Sequence, residues 1–185
     1  MFFACSTTTT KTFRYDPTYQ DTVYSVSTKE LRCDKIPDSV FQMSNLRRLE
    51  IAGEDCDTHQ FDKDGHDITQ CWMITEIPGE IKKLQKLTTL RLTLNAIKTI
   101  PGELTQLKSL KSLDLTDNAS LENIDNLTKM QNLESLFLYG CGLTKLPDEI
   151  GNLKNLKELG LVGNNLDKAE QLRVRKALPN CNIKF

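Results

Sequence analysis

The sequence predicts an α/β solenoid, with short parallel strands forming one curved sheet and short helical turns returning the chain along the other face. Three observations lead there. First, Leu87, Leu110, Leu133 and Leu156 lie 23 residues apart, and each opens a Leu-x-x-Leu-x-Leu run; self-similarity at a fixed period marks a repeat architecture. Second, apolar residues alternate within each run, which is the strand period, so the fourth and sixth positions face inward and their neighbours outward. Third, Ile-Pro or Leu-Pro recurs between runs with apolar residues three and six positions on, as in Pro147, Ile150 and Leu153. That recurrence suits a short helical turn, and Pro is tolerated at its start because a missing N–H costs nothing there. Strands one coil apart must run parallel. A lone coil cannot bury its leucines, so each completes the core of the next.

Taken in order, the first coil begins near Val23 and Val26 and returns through Ile36-Pro37, Val40 and Met43, although Thr28 and Leu31 fit its strand pattern poorly. The second opens at Leu46 and runs to Lys86, 41 residues instead of 23, which implies an 18-residue insertion within about 53–72. Its polar composition makes the insertion a surface loop. The coil opening at Leu87 is regular. In the coil opening at Leu110, Leu121 and Ile124 come one residue late and no Pro is present, but the total length stays 23, so the fault is local. The coil opening at Leu133 is regular except at its ninth position, where Cys141 replaces the Asn of the other units (Asn95, Asn118, Asn164). An inward Asn can bridge backbone groups of adjacent turns that would otherwise be buried unpaired, at roughly 1 to 3 kcal/mol each. From Lys168 to Leu178 a capping helix is expected, with Ala169, Leu172 and Arg175 on one face and Val174 and Leu178 beside it; Pro179 ends it, and Asn182–Phe185 is expected as an edge strand. The domain reading is therefore an N-terminal tether or cap over 1–22, a repeat domain over 23–178 interrupted around 53–72, and a C-terminal cap over 168–185.

These units, Leu87-x-x-Leu90-x-Leu92-x-x-Asn95-x-Ile97 and its successors, resemble the leucine-rich repeat family. The resemblance covers about residues 23 to 178. It implies a concave sheet that binds a protein partner, and Cys as an accepted alternative to Asn at the ninth position, so Cys141 is expected to be a buried structural thiol. Phe2-Phe3-Ala4-Cys5-Ser6, followed by the Thr-rich run from Thr7 to Thr10, resembles the end of a bacterial lipoprotein signal peptide and its tether. That resemblance implies lipidation at Cys5 and a place in the cell envelope or at the surface; the alternative is a cytoplasmic chain.

The third, fifth and seventh positions of each run face the concave side. Their central column reads Glu50, Arg91, Asp114, Phe137, Gly160. Opposite charges on neighbouring strands should pair laterally, each pair contributing roughly 0.2 to 1 kcal/mol. Phe137 and Tyr139 lie outward on one strand, with Val162 diagonal to Tyr139 and Gly160 beside Phe137. Exposed aromatics beside a Gly-floored depression suit an interface. The expected partner-binding residues are thus Arg48, Glu50, Arg91, Asp114, Phe137, Tyr139 and Val162, with sugar stacking as the alternative use of the same surface.

The insertion holds Cys56, His59, His66 and Cys71, which suit zinc chemically but match no recognised spacing. Its Asp57, Asp62, Asp64 and Asp67 fail the calcium-loop pattern at Gln60 and Cys71. No metal or cofactor is expected. A disulfide between Cys56 and Cys71 would close the loop, worth roughly 3 kcal/mol in the chain-entropy model, while Cys33 with Cys56 is the rival pairing. A net charge of -1, from Lys+Arg 24 against Asp+Glu 25, gives no broad pull toward nucleic acid or acidic membrane and leaves only a local patch open. No run of apolar residues is long enough to span a bilayer. Both histidines sit in the insertion, and no nucleophile motif or phosphate-cradling Gly loop appears, so no catalytic residue is assigned; the alternatives to a protein-binding module are a surface lipoprotein that binds carbohydrate or extracellular matrix and a metal-dependent hydrolase built on the insertion. A monomeric binding module is expected.

Overall fold

A computed structural model of the chain describes residues 23–54, 63–66 and 71–185. Seven strands form one sheet in chain order, every neighbouring pair parallel: β1 Val23–Ser27, β2 Arg48–Ala52, β3 Thr89–Arg91, β4 Ser112–Asp114, β5 Ser135–Phe137, β6 Glu158–Gly160 and β7 Asn182–Lys184. Two α-helices, α1 Thr28–Leu31 and α2 Lys168–Ala177, join them, and five 3-10 turns line the returning face. The leucines of the runs are buried in one continuous core with Ile74, Ile81, Ile97, Ile150 and their neighbours. This is the solenoid that the 23-residue period requires.

Four of the 3-10 turns follow directly on Pro37, Pro78, Pro101 and Pro147, whose carbonyls accept the first turn hydrogen bond from Val40, Ile81, Leu104 and Ile150. In the coil opening at Leu110 the same role falls to Ile124, whose carbonyl accepts from Leu127 N–H at 2.9 Å. The turn therefore starts on time without its Pro, and the slip is confined to the residues before it.

Inside the spiral, Asn95, Asn118 and Asn164 form the expected ladder. Each side-chain carbonyl accepts the N–H of the residue 21 positions earlier: Ile74 at 2.8 Å, Ile97 at 3.0 Å and Leu143 at 2.9 Å. Each side-chain amide donates to carbonyls of its own and the preceding coil, as Asn118 does to Leu115 at 2.8 Å and Leu92 at 2.7 Å. Cys141 stands in the fourth place and cannot do the same work: its thiol donates to Leu115 O at 3.2 Å, and a thiol is a poor acceptor. The residue 21 positions before Cys141 is Ser120, immediately before the late Leu121. The substituted Asn and the late residues thus fall at matching positions of adjacent coils. Burial pushes the Cys141 thiol up to about 11. Native protein at pH 8 should accordingly leave Cys141 unlabelled by a thiol reagent until denaturant is added, as counted by mass spectrometry. Between its ordinary value and about 11 the unfolded chain gives up this proton first, so stability should fall as pH rises through that window.

The first coil differs from its expected pattern. Tyr24 and Val26, opposite Leu49 and Ile51, take the inward positions, and Val23 is exposed. Thr28 and Leu31 leave the strand altogether for α1, which begins with a capping box: Ser27 Oγ accepts Glu30 N–H at 3.2 Å while the Glu30 carboxylate accepts Ser27 N–H at 3.1 Å. Buried Thr28 donates its hydroxyl to Trp72 O, tying the first coil to the far end of the insertion. Gly53 marks the near end, where its N–H donates to Thr93 O at 2.8 Å and an added Cβ would sit 1.5 Å from Leu94 O. Only glycine allows that approach.

The C-terminal cap is the expected helix and edge strand, and the packing decides which helix face turns inward. Ala169, Leu172 and Arg175 form the exposed face of α2, and Glu170, Val174 and Leu178 are the buried residues. A charged pair fastens the helix to the preceding coil. Glu170 Oε1 accepts Leu146 N–H at 2.8 Å, and Arg173 donates to both Glu170 oxygens at 2.7 Å and to Leu146 O at 2.8 Å. Helical periodicity of apolar residues fails here because the buried stripe contains a carboxylate. β7 pairs beyond β6 as the expected edge strand.

Cys33 and Cys71 are both disulfide-bonded. Cys56, through which the expected pairings run, lies outside the described residues, as do Cys5 and the 1–22 segment, His59, Asp57, Asp62 and Asp67. Among the described residues no group of three or more His, Cys, Asp or Glu is arranged to hold a metal ion, and no helix is long and apolar enough to cross a membrane.

Candidate interaction surface

The outward column of the sheet has the register expected from the spacing. Glu50 pairs across to Arg91, Arg91 to Asp114, Asp114 to Phe137 and Phe137 to Gly160; Ser25 and Lys184 extend the column at its two ends. Because the strands are parallel and in register, residues 23 apart are neighbours, so the composition of the column decides the chemistry of the face.

Its first half is ionic and internally satisfied. Arg91 lies 3.8 Å from Glu50 Oε1 and 3.2 Å from Asp114 Oδ2, and Arg48 reaches Glu50 at 3.3 Å. The Asp114 carboxylate, 8% exposed, also accepts Thr116 N–H at 3.0 Å and the Thr116 hydroxyl at 2.6 Å. These groups rigidify one another, and each exposed pair is worth little to stability. A second ladder runs beside them at the second position of each run. Lys111 and Lys157 flank Glu134 at 3.1 and 2.5 Å, and the hydrogen bonds from Lys157, then Lys111, hold its carboxyl below the usual range. This ladder was legible from the same 23-residue spacing, at a position that the strand alternation leaves aside.

The second half is aromatic. Phe137 and Tyr139 stack with ring centroids 5.8 Å apart and planes at 16°. The open depression expected above Gly160 is filled: an added Cβ on Gly160 would lie 2.2 Å from Tyr139 Cζ, so the ring lies across the bare strand. Gly160 thus serves as the seat of Tyr139. The two half-buried rings make a flat slab, and Val162 stands 49% exposed beyond it. Seven expected residues therefore divide into three groups: Arg48, Glu50, Arg91 and Asp114 are joined by ion pairs, Phe137 and Tyr139 stack, and Val162 stands apart in solvent.

A stack of coils presenting one continuous outward sheet is a repeat-protein binding scaffold. The chain belongs to the leucine-rich repeat family, whose model, described as a leucine-rich repeat region, matches residues 68–182. Among solved structures it is similar to a leucine-rich repeat protein of Leptospira interrogans, with 33% identity and a TM-score of 0.66 over 82% of this chain and 34% of that one. It is similar also to the leucine-rich repeat domain of the type III effector XopL, with 25% identity and a TM-score of 0.58 over 81% of this chain and 56% of that one. An internalin of Listeria monocytogenes shares the fold at 15% identity and a TM-score of 0.57, over 80% of this chain and 37% of that one. The chain thus spans about a third of the length of the Leptospira and Listeria proteins and somewhat over half of the XopL domain. No curated protein matches significantly. Leucine-rich repeat domains are in general non-enzymatic protein-interaction scaffolds, and the chemistry of this face, paired charges and stacked rings, is that of recognition.

Proposed function

We propose that the chain is a protein-interaction module, anchored in the cell envelope or exposed at a surface, that takes its partner on the concave sheet at Phe137, Tyr139 and Val162. The observation that carries this reading is the stacked pair seated on Gly160. A rigid aromatic slab offers large contact area at small entropic cost, the pattern of an interface anchor. The paired charges at Arg48, Glu50, Arg91 and Asp114 then set register around it. The module acts as a monomer, with 1–22 as a tether, lipidated at Cys5, and 168–185 as its cap. Disulfide bonding at Cys33 and Cys71 suits an oxidising compartment, which supports export.

Replacing Phe137 and Tyr139 together by Ala should abolish capture of the partner while lowering Tm only modestly, because the rings are half-buried and outside the core. The expected loss is about 2 kcal/mol or more, roughly thirtyfold or greater in Kd. Equal retention of the captured protein by the wild-type and doubly substituted chains, read by quantitative proteomics on immobilised protein, would overturn the reading. Flat rings among the hydroxyls of Ser135 and Thr116 suit sugar stacking as well, and a glycan array run beside the capture experiment separates the two.

A further inference from the structure

The formal charge of the chain is nearly balanced, yet its cations are not evenly spread. The loops that lead into the strands form one rim of the solenoid, and those before β2, β3, β4 and β6 carry exposed basic residues: Arg47, Lys86, Lys108, Lys111, Lys154 and Lys157. The acids on the same rim are Glu134, already shared between Lys111 and Lys157, and Glu158. Arg47, Lys86, Lys108 and Lys154 enter no ion pair. A cation near the end of a helical turn can be explained by the turn's dipole, and Lys108 does donate to Thr105 O at 2.8 Å. Arg47, Lys111 and Lys157 sit instead just before strands, where no such dipole calls for them.

The rim is also rigid. Thr88, Lys111, Glu134 and Lys157 each donate a backbone N–H to the residue one coil earlier at 2.8 to 2.9 Å, and Asn182 continues the ladder from Lys157. Parallel strands stand about 4.8 Å apart, so Lys108 with Lys111 and Lys154 with Lys157 form two cationic pairs about 10 Å apart along the solenoid axis. Recurrent charge along a fixed edge matches a linear polymer with recurrent anions. Aromatic platforms for nucleic-acid bases are absent among the described residues of this rim, and the exposed or half-buried positions between the lysines (Gln85, Ser109, Gln131, Asn132 and Asn155) are polar, with nothing to insert into a bilayer.

We propose that the strand-entry rim is a second binding edge, separate from the concave aromatic slab, for a linear polyanionic glycan carrying carboxylate or sulfate groups. Heparin is the probe, with uncharged dextran, duplex DNA and phosphatidylglycerol vesicles beside it. The full chain should bind heparin with log affinity falling linearly against log salt, and should not bind dextran. Substituting Lys108, Lys111, Lys154 and Lys157 by Gln should weaken binding at least about tenfold and lower the salt slope by about 1 for each lysine engaged. The same substitution of Lys35, Lys98, Lys145 and Lys168, which lie off the rim, should change it far less.

Glu134→Gln provides a test of opposite sign. It frees Lys111 and Lys157 and should strengthen heparin binding, a gain that damaged folding cannot imitate. The Phe137→Ala/Tyr139→Ala chain should bind heparin as the wild type does, which keeps this edge distinct from the concave face. No heparin binding at low salt, equal loss from the two lysine sets, weaker binding in Glu134→Gln, or preference for DNA or vesicles over heparin would each overturn the proposal.

Discussion

Replacing Asn118 by Ala is expected to lower the unfolding free energy by about 3 to 5 kcal/mol, the largest effect of any single polar substitution in the array. The residue is fully buried. Its side chain accepts Ile97 N–H and donates to Leu92 and Leu115, so truncation leaves one donor and two acceptors of two successive coils without partners. Each buried orphan costs about 1 to 3 kcal/mol, and some of that is recovered where the coils relax. Asn164, half-buried beside the cap, makes the same bonds, and its substitution should cost less because water reaches the groups it leaves. Urea denaturation checks both: for Asn118→Ala the midpoint should drop sharply with the m-value preserved. A divided transition would mean that the array has separated at the broken rung, as expected of a chain held by nearest-neighbour interfaces. A loss under about 1 kcal/mol, or equal losses at the two positions, would refute the ladder's assigned role.

Arg173→Ala should cost about 3 kcal/mol, the low end for removing one member of a buried ion pair, because the guanidinium is 31% exposed. The Glu170 carboxylate, 8% exposed, would be left with Leu146 N–H and the N-terminal end of α2 as its compensation. A pH titration distinguishes this cause from lost packing. In the wild type the Arg173 hydrogen bond holds the Glu170 carboxyl below its ordinary value. That contribution is present above the unfolded-state value and is lost as pH falls through the depressed one. Without Arg173 that depression is relieved, so the wild type loses more stability than the variant on acidification and the variant's deficit should shrink. Glu170→Gln in the Arg173→Ala background should recover part of the loss at neutral pH. A deficit independent of pH and unrelieved by Gln would show that Arg173 acts only by packing.

Much of the candidate surface was legible in the sequence, since a parallel, in-register stack makes residues 23 apart into neighbours. The lateral pairing of Arg91 with Asp114 follows from that alone and that of Glu50 with Arg91 once the 18-residue insertion is counted, and the geometry bears both out. Gly160 illustrates the limit. Its place beside Phe137 was readable, but the ring that fills the space above it belongs to Tyr139, two residues along the neighbouring strand. Which rotamer fills a space is settled by competition among neighbours, and periodicity carries no term for it. The cap shows the same limit more sharply, because the sequence placed Ala169, Leu172 and Arg175 on one face with Val174 and Leu178 beside it, and only the packing showed that the second group turns inward together with Glu170. Two main-chain groups at Leu146 needed partners, and Glu170 with Arg173 supplied them.

By itself, then, the sequence determined the repeat, the direction and register of its strands, the inward leucines and the Asn rungs. All of these are local regularities multiplied by stacking, and a period is enough to express them. The tertiary structure alone decided which irregular residues answer one another across coils: Tyr139 with Gly160, Glu170 and Arg173 with the open backbone of Leu146. Those pairings depend on unmet hydrogen bonds and unfilled volume at single places, and such needs arise only once the coils are stacked.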